Sequence, residues 1–288
     1  MLLFSQLIGI TQGTVLQLSV DRPVHDLIMD SRKAIVREGS VFFAVKGKHS
    51  DGHAYIDSLY KNGVRQFIVE HTISINTYRE ANFIQVNSSI DALQKIAAHH
   101  RDKFSIPVIG ITGSNGKTIV KEWLYQLLAK QYTLVKNPGS YNSQIGVPLS
   151  VWQMQPYHTL GIFEAGISQP GEMEKLERII KPTLGVFTTL GTAHDESFQS
   201  DEQKIEEKIK LFKHVTVLIC CADHDKLYRY VKSSGIPVLS WGFSPTADVK
   251  VAKKDGEFLV TWKSQNFTIS LPFSDPASVE NALHCLTI

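Results

Sequence analysis

Residues 107–130 read PVIGITGSNGKTIVKEWLYQLLAK, an apolar run, a glycine-rich turn and an apolar-striped segment in direct succession. A run such as PVIGI, residues 107–111, suits the centre of a parallel sheet covered on both faces. In the segment after it, Ile119, Val120, Trp123, Leu124, Leu127 and Leu128 recur at helical spacing and predict one buried stripe. Between the two lies GSNGKT, where a strand must turn into a helix. Gly113, Ser114, Asn115 and Gly116 let backbone N–H groups face inward, and the helix start adds partial positive charge at the same point, so an anion belongs there. Lys117 then holds the terminal phosphates of a nucleotide, and the Thr118 hydroxyl ligates a magnesium ion. The spacing is shorter than GxxxxGK[ST]: Ile111 stands where the first glycine belongs, and Gly110 is one position early. The competing reading is a turn with no ligand, but it gives a Lys-Thr pair at a helix start no packing role.

Strand and helix signals alternate around this loop. Residues 41–45, 66–69 and 83–86 read as strands, residues 53–61 and 90–103 as helices, and a domain junction is expected near Pro107. Beyond it, a helix at 118–130 and strands at 132–135, 160–163, 184–188 and 215–219 predict a doubly wound sheet. Shorter runs within 248–270 predict an antiparallel ribbon. The fold class expected is therefore α/β, with a small first domain at 1–105 and a mostly parallel ATP-binding-type domain at 106–288. Residues 278–288 resemble the opening turns of a helix, which suggests a chain cut within a longer protein.

Composition removes several function classes. With 30 Lys and Arg against 28 Asp and Glu, the net charge of +2 is too small and too dispersed for a nucleic-acid stripe. No run approaches the roughly 20 apolar residues of a spanning helix. Cys220, Cys221 and Cys285 are odd in number and lie in apolar surroundings, so buried reduced thiols and a cytoplasmic location are expected.

The order of several segments is similar to the Mur ligase family. ITGSNGKT resembles its phosphate loop, NSQIGVP (142–148) its Asn-x-x-Ile-Gly-x-Pro segment, and FEAGIS (163–168) its acidic strand end. TLGTAHDESF (189–198) resembles the segment carrying a metal-binding histidine, and NALHCL (281–286) the adenine-contacting helix. DSRKAIVREGSVFFAVKGKHSDGHAYI (30–56) resembles the UDP-sugar-binding domain of members that act late in the pathway. Three features depart from the pattern: Pro138-Gly139-Ser140-Tyr141, a single Asn142 where two asparagines often stand, and Leu190-Gly191 where Asn-Ile is common.

The resemblance implies an ATP-dependent ligase of peptidoglycan precursor synthesis that joins UDP-MurNAc-tripeptide to D-alanyl-D-alanine through an acyl phosphate. The diamino-acid-adding member is the alternative, and a non-catalytic nucleotide-binding fragment is a third reading. ATP and two Mg2+ ions are the implied cofactors. Glu164 at the end of an apolar strand and His194 in its loop are the implied metal ligands, with Thr118, and a magnesium ion would offset a buried Glu164. An exposed strand-end carboxylate and a surface histidine are the plainer alternatives. Asn142 is expected to orient nucleotide or metal-bound water, and Asn281 to contact the nucleotide.

The family carries in the helix at 201–212 a carbamylated lysine, a CO2 adduct that turns a cation into an anionic metal ligand alongside Thr118, Glu164 and His194. With Ile205, Ile209 and Phe212 as the buried stripe, Lys208 lies roughly 60° from its centre, Lys204 roughly 100° and Lys210 roughly 140°. Lys208 is the best placed, a snorkelling lysine being the alternative. In the first domain, Ser31, Arg32, Lys46, Asp51, Gly52 and His53 are the expected substrate-binding set, with Arg32 suited to doubly bonded anion contacts. A third domain is expected to be missing, so that the chain, a monomer, binds but turns over poorly. In some members an alanine racemase domain follows.

Overall fold

A computed structural model describes residues 2–33, 36–47, 50–191 and 197–288. The chain divides into two compact units, Met1–His100 and Arg101–Ile288. Arg101 opens the second unit because its guanidinium is fastened there: Nε donates to the Ile180 carbonyl at 2.9 Å and Nη2 to that of Lys181 at 3.2 Å.

The first unit runs α1 (Gln6–Thr11), β1 (Thr14–Gln17), β2 (Asp26–Ile28), β3 (Ser40–Phe43), α2 (Ile56–Lys61), β4 (Gln66–Val69), β5 (Asn82–Gln85) and α3 (Ser89–Arg101). Its sheet has the order β1-β5-β4-β3-β2, parallel except for β1, which runs antiparallel to β5. Register sets Phe42 beside Phe67 and Phe67 beside Phe83, giving an aromatic row in which the last two rings stack at 4.9 Å. β3 and β4 are buried along their whole length, which is why their apolar runs are legible in sequence. The edge strands β1 and β2 are short and part-exposed, and no apolar run announces them.

In the second unit, β6 (Val108–Thr112) leads into α4 (Lys117–Leu128) and β7 (Leu134–Lys136). There follow α5 (Gly146–Val151), β8 (Leu160–Glu164), α6 (Glu172–Ile180), β9 (Leu184–Phe187), α7 (Asp201–Ile209), β10 (Val217–Cys221), α8 (Asp225–Ser233) and β11 (Val238–Gly242). The unit closes with β12 (Val249–Lys254), β13 (Glu257–Trp262), β14 (Gln265–Ile269) and α9 (Pro276–Leu286). The sheet order is β14-β13-β12-β11-β10-β9-β6-β8-β7.

From β7 to β12 all neighbours are parallel, as the alternation predicts. The antiparallel ribbon β12-β13-β14 also forms, but it extends the main sheet, because Trp241 of β11 pairs in parallel with Val249. The sequence reading passed over β11. β10 lies two residues later than expected and contains both adjacent cysteines. Cys220, Cys221 and Cys285 are buried free thiols, each pushed up to about 12 by burial.

The stripe on α4 needs correcting. Val120 and Leu124 are buried, but Ile119 is 45% and Leu127 58% exposed, and the side chain that joins the buried face is Lys121, at 0%. α9 is a full helix whose start is capped by Asp275, accepting from the Ser278 N–H at 2.9 Å, with Pro276 at its first position.

Candidate functional site

β6 lies between β8 and β9, the point where the sheet's winding reverses, and the glycine-rich loop leaves its carboxyl end there. Open α/β sheets bind ligands at such a crevice. Gly113 takes φ +147, and a β-carbon on it would lie 2.0 Å from Thr188 Oγ1, so glycine is required by close approach as well as by conformation. The Ser114 N–H donates to the Thr189 carbonyl at 2.7 Å, Ser114 Oγ to that of Gly191 at 3.1 Å, and Thr188 Oγ1 to that of Asn115 at 2.6 Å. The loop after β9 thus holds the turn open against α4.

Three ammonium groups gather on these backbones. Lys117 Nζ donates to the carbonyls of Gly113 (2.8 Å) and Ser114 (3.0 Å), and Lys208 Nζ donates to that of Gly113 at 3.1 Å. Lys204 Nζ donates to the Gly191 carbonyl at 2.7 Å. Burial lowers the Lys117 pKa, with the Glu164 charge opposing it. Burial, and then the charges of Lys117 and Lys204, lower Lys208 to about 7. Lys208 is buried, but Lys204, which the angular test ranked behind it, is at least as buried, its Nζ held by the Gly191 carbonyl of the loop after β9, so burial does not separate the two.

Glu164 ends β8 opposite Ile111 of β6 and is completely buried, so the exposed strand-end reading is excluded. Its Oε1 accepts from Asn142 Nδ2 at 3.1 Å. Its Oε2 has no hydrogen-bond partner among the described residues and lies 3.9 Å from Lys121 Nζ. Part of the positive charge that a buried carboxylate needs is therefore built into α4. Asn137 fixes the backbone here as well, its Oδ1 accepting from the Glu164 N–H at 2.7 Å. Lys121 and Asn137 escaped the sequence reading. Measured from the stripe expected on α4, Lys121 lies roughly 110° from its centre, outside what an angular test selects, and Asn137 leaves no sequence signal. Asn142 orients Glu164, a nearer task than the nucleotide contact expected of it.

Asn281 projects from α9 onto the loop, its Oδ1 being the nearest atom, at 2.4 Å, to a β-carbon built on Gly116. One turn on, the buried His284 accepts from Trp241 Nε1 at Nδ1 (3.1 Å) and meets the Thr188 carbonyl from Nε2 (3.1 Å), which sets a neutral Nε2–H tautomer. Burial lowers its pKa, consistent with that state. Glu280 faces His224 Nε2 at 2.8 Å; burial pushes this carboxyl up, but the hydrogen bond from His224 and the neighbouring imidazoles outweigh it and hold it at about 2. The same bond raises His224 against burial.

The signs define a window. The Glu280 contribution is present above its ordinary 4.5 and lost as pH falls toward 2, while that of His224 is present below its ordinary 6.5 and lost as pH rises through its elevated value. Glu280→Gln is expected to lower the His224 pKa in an NMR titration and to remove a stability increment that is largest between pH 4.5 and 6.5. An unmoved His224 titration would refute the pairing.

In the first unit, Arg32 spends its fork on Asp30, with Nε on Oδ1 and Nη2 on Oδ2, both at 2.9 Å, and its side chain is 83% exposed. Ser31 opens the short turn that carries it. Asp51 caps the Gly52–Tyr55 turn by accepting from the His53 N–H at 2.9 Å. His53 Nδ1 bonds Asp51 at 2.5 Å, and Nε2 accepts from the Glu70 N–H at 2.9 Å. Gly52 is tightly placed, since a β-carbon would lie 2.8 Å from the Val45 nitrogen. The Lys46 N–H donates to Glu70 at 3.1 Å. Lys46, Asp51, His53 and Glu70 form one hydrogen-bonded network, separate from the Asp30–Arg32 pair, so each has a structural duty beside any ligand contact. His194 lies outside the described residues.

Residues 111–288 match the Mur ligase middle domain, and residues 23–101 match the Mur ligase family, catalytic domain. The chain is similar to a UDP-N-acetylmuramoyl-tripeptide–D-alanyl-D-alanine ligase of Borreliella burgdorferi, 29% identical over 94% of this chain and 61% of that protein. It is also similar to the Treponema pallidum ligase of the same description, 33% identical over 72% of this chain and 46% of that protein. Among solved structures, MurF ligase from Thermotoga maritima in complex with ADP aligns with a TM-score of 0.79 at 30% identity, covering 91% of this chain and 62% of that one. MurF from Acinetobacter baumannii shares the fold, with a TM-score of 0.84 at 24% identity over 98% of this chain and 63% of its own. The chain therefore spans less than two thirds of the length of these relatives.

Proposed function

The chain belongs to the Mur ligase family, and from that premise we propose that it is the substrate- and ATP-binding portion of an ADP-forming ligase that joins UDP-MurNAc-tripeptide to D-alanyl-D-alanine. The observation carrying this reading is the convergence of Lys117 and Lys208 on the Gly113 carbonyl at the sheet's switch point. A loop whose own carbonyls hold two ammonium groups has cationic donors in place for an anion of high charge.

Amide formation in water requires an activated carboxylate, because hydroxide is a poor leaving group. Transfer of the ATP γ-phosphoryl group to the substrate carboxylate makes an acyl phosphate. The amine of D-alanyl-D-alanine then attacks its carbonyl carbon, and phosphate departs. Positioning and charge neutralisation dominate such chemistry. Lys117 would leave its two loop carbonyls for the β- and γ-phosphates, Gly113, Asn115 and Gly116 would present N–H groups, and Lys204 would add positive charge beside them. Asn281, whose Oδ1 approaches Gly116 from α9, is proposed to contact the nucleotide.

A divalent cation fits the donors present, since Glu164 Oε2 is a buried acceptor with no hydrogen-bond partner among the described residues and Thr118 offers a hydroxyl. Such an ion supplies charge neutralisation on the transferring phosphoryl group. Glu164, Thr118 and His194 are the residues proposed to hold it, and Asn142 fixes the Glu164 rotamer.

Lys208 is also proposed to be carbamylated. A pKa of about 7 leaves much of its amine unprotonated at neutral pH, and only the free amine adds to CO2, releasing a proton and leaving an anionic carbamate. With 13C-bicarbonate, a carbamate carbon resonance is expected that disappears in Lys208→Met; its persistence in the variant would assign it elsewhere.

The first unit is proposed to bind the UDP-sugar peptide through two turns, one carrying Ser31 and Arg32 and the other Lys46, Asp51, Gly52 and His53. The activity is tested by ADP release from ATP with UDP-MurNAc-tripeptide and D-alanyl-D-alanine, each substrate being omitted in turn. Dependence on both substrates supports the reading. Release driven instead by UDP-MurNAc-dipeptide and a diamino acid would overturn it in favour of the preceding ligase.

A further inference from the structure

The turn Pro138-Gly139-Ser140-Tyr141 departs from the family pattern and is exposed, yet its backbone is tied to buried side chains. Lys121 Nζ donates to the Asn137 carbonyl at 3.0 Å and to the Gly139 carbonyl, and Asn137 Nδ2 donates to the Tyr141 carbonyl at 2.7 Å. Gly139 takes φ +49 with open space around it, so the turn bends freely there. Ser140 is exposed, and its hydroxyl lies 3.3 Å from Thr118 Oγ1, on the first turn of α4.

The lysine that makes this clamp is an expensive residue at its position. Lys121 is fully buried beside Val120 and Leu124, where an apolar side chain would avoid the desolvation of an ammonium. Its contacts show what it does there: two carbonyls of the turn, Glu122 at 3.3 Å and Glu164 Oε2 at 3.9 Å. One charge thus locates the turn against both the phosphate-loop helix and the acidic end of β8.

From this geometry we infer that Ser140 supplies a second hydroxyl to the cation carried with the nucleotide phosphates, next to Thr118, and that Lys121 is the positioning residue that holds it there. The inference rests on the nucleotide reading above. Magnesium takes oxygen ligands in near-octahedral geometry, in which adjacent oxygens around a short-bonded ion stand about 3 Å apart. The Thr118 and Ser140 hydroxyls already have nearly that separation. Ser140 can reach the ion directly or through one of its bound waters.

The test is ADP binding by calorimetry to the whole 288-residue chain, with Mg2+ and with chelator, for the wild type, Ser140→Ala, Ser140→Thr, Lys121→Met and the Lys121→Met/Ser140→Ala pair. Ser140→Ala is expected to weaken ADP binding about fivefold with Mg2+, the worth of one hydrogen bond, and to leave the chelator value unchanged. Ser140→Thr should restore the wild-type ratio, and Ser140→Ala should add nothing once Lys121 is gone. A merely structural serine would shift both conditions alike or neither, and either result overturns the inference. Ser140 is exposed, so its variants decide the matter even if Lys121→Met does not fold. Failure of the wild type to bind ADP in either condition would instead bring down the nucleotide reading, and this inference with it.

Discussion

Lys117→Ala is expected to lower the affinity of the chain for ADP about a hundredfold, with and without Mg2+, while leaving its melting temperature close to wild type. A charge-assisted hydrogen bond to phosphate contributes about 1.5–3 kcal/mol, and a part-buried lysine on the doubly charged terminal phosphate of ADP sits at the upper end of that range. The melting temperature should hold because the ammonium bonds only to the carbonyls of its own loop, Gly113 and Ser114, which water can satisfy once the side chain is removed. Lys204 remains to attract anions, so residual weak binding is expected. Calorimetric titration with ADP makes the comparison. An affinity within a few-fold of wild type would mean that Lys117 never leaves its loop carbonyls, and the phosphate role would be lost.

The second large effect concerns stability. Lys121→Met is expected to destabilise the second unit by about 3–5 kcal/mol, the cost of leaving a buried charge without its partner. For a unit of this size that corresponds to a fall of about 10 °C in melting temperature. The variant strands Glu164, whose Oε2 has no hydrogen bond among the described residues, and frees the carbonyls of Asn137 and Gly139. Removing the carboxylate as well, in Lys121→Met/Glu164→Leu, should recover a substantial part of the loss, because an apolar pair needs no mutual neutralisation. Recovery stays partial because the two carbonyls remain unmet. Thermal unfolding of the four proteins closes the cycle. If Lys121→Met melts with the wild type, or if the double variant is less stable than the single one, the two charges are not coupled.

The lysines of the site differ in how far sequence reading reaches them. Lys117 stands out by adjacency: a strand, two glycines, a lysine, a hydroxyl and a helix start are neighbours in the chain, and helix geometry alone brings their donors together. Lys208 was legible by angle, since a known stripe on one helix fixes which side chains flank it. The same calculation ranked Lys204 too low, because a rule about one helix does not know that the loop after β9 closes over it. Lys121 was hidden by an assumption of apolarity: Ile119 and Leu127 were assigned to the buried stripe and prove exposed, while a charged residue takes the buried place.

The chain order alone determined the α/β class, the placement of the phosphate loop after a buried strand, and the family, because strong local periodicity and short contiguous motifs survive without tertiary context. Only the folded structure decided which charges meet. It set Glu164 against Lys121 and Asn142, turned Asn137 and the 138–141 turn toward α4, joined the ribbon to the main sheet, and brought α9 back onto Gly116 from far along the chain. The physical reason is that burial and electrostatics depend on separation in space, and a parallel sheet places side by side residues that lie dozens of positions apart in sequence.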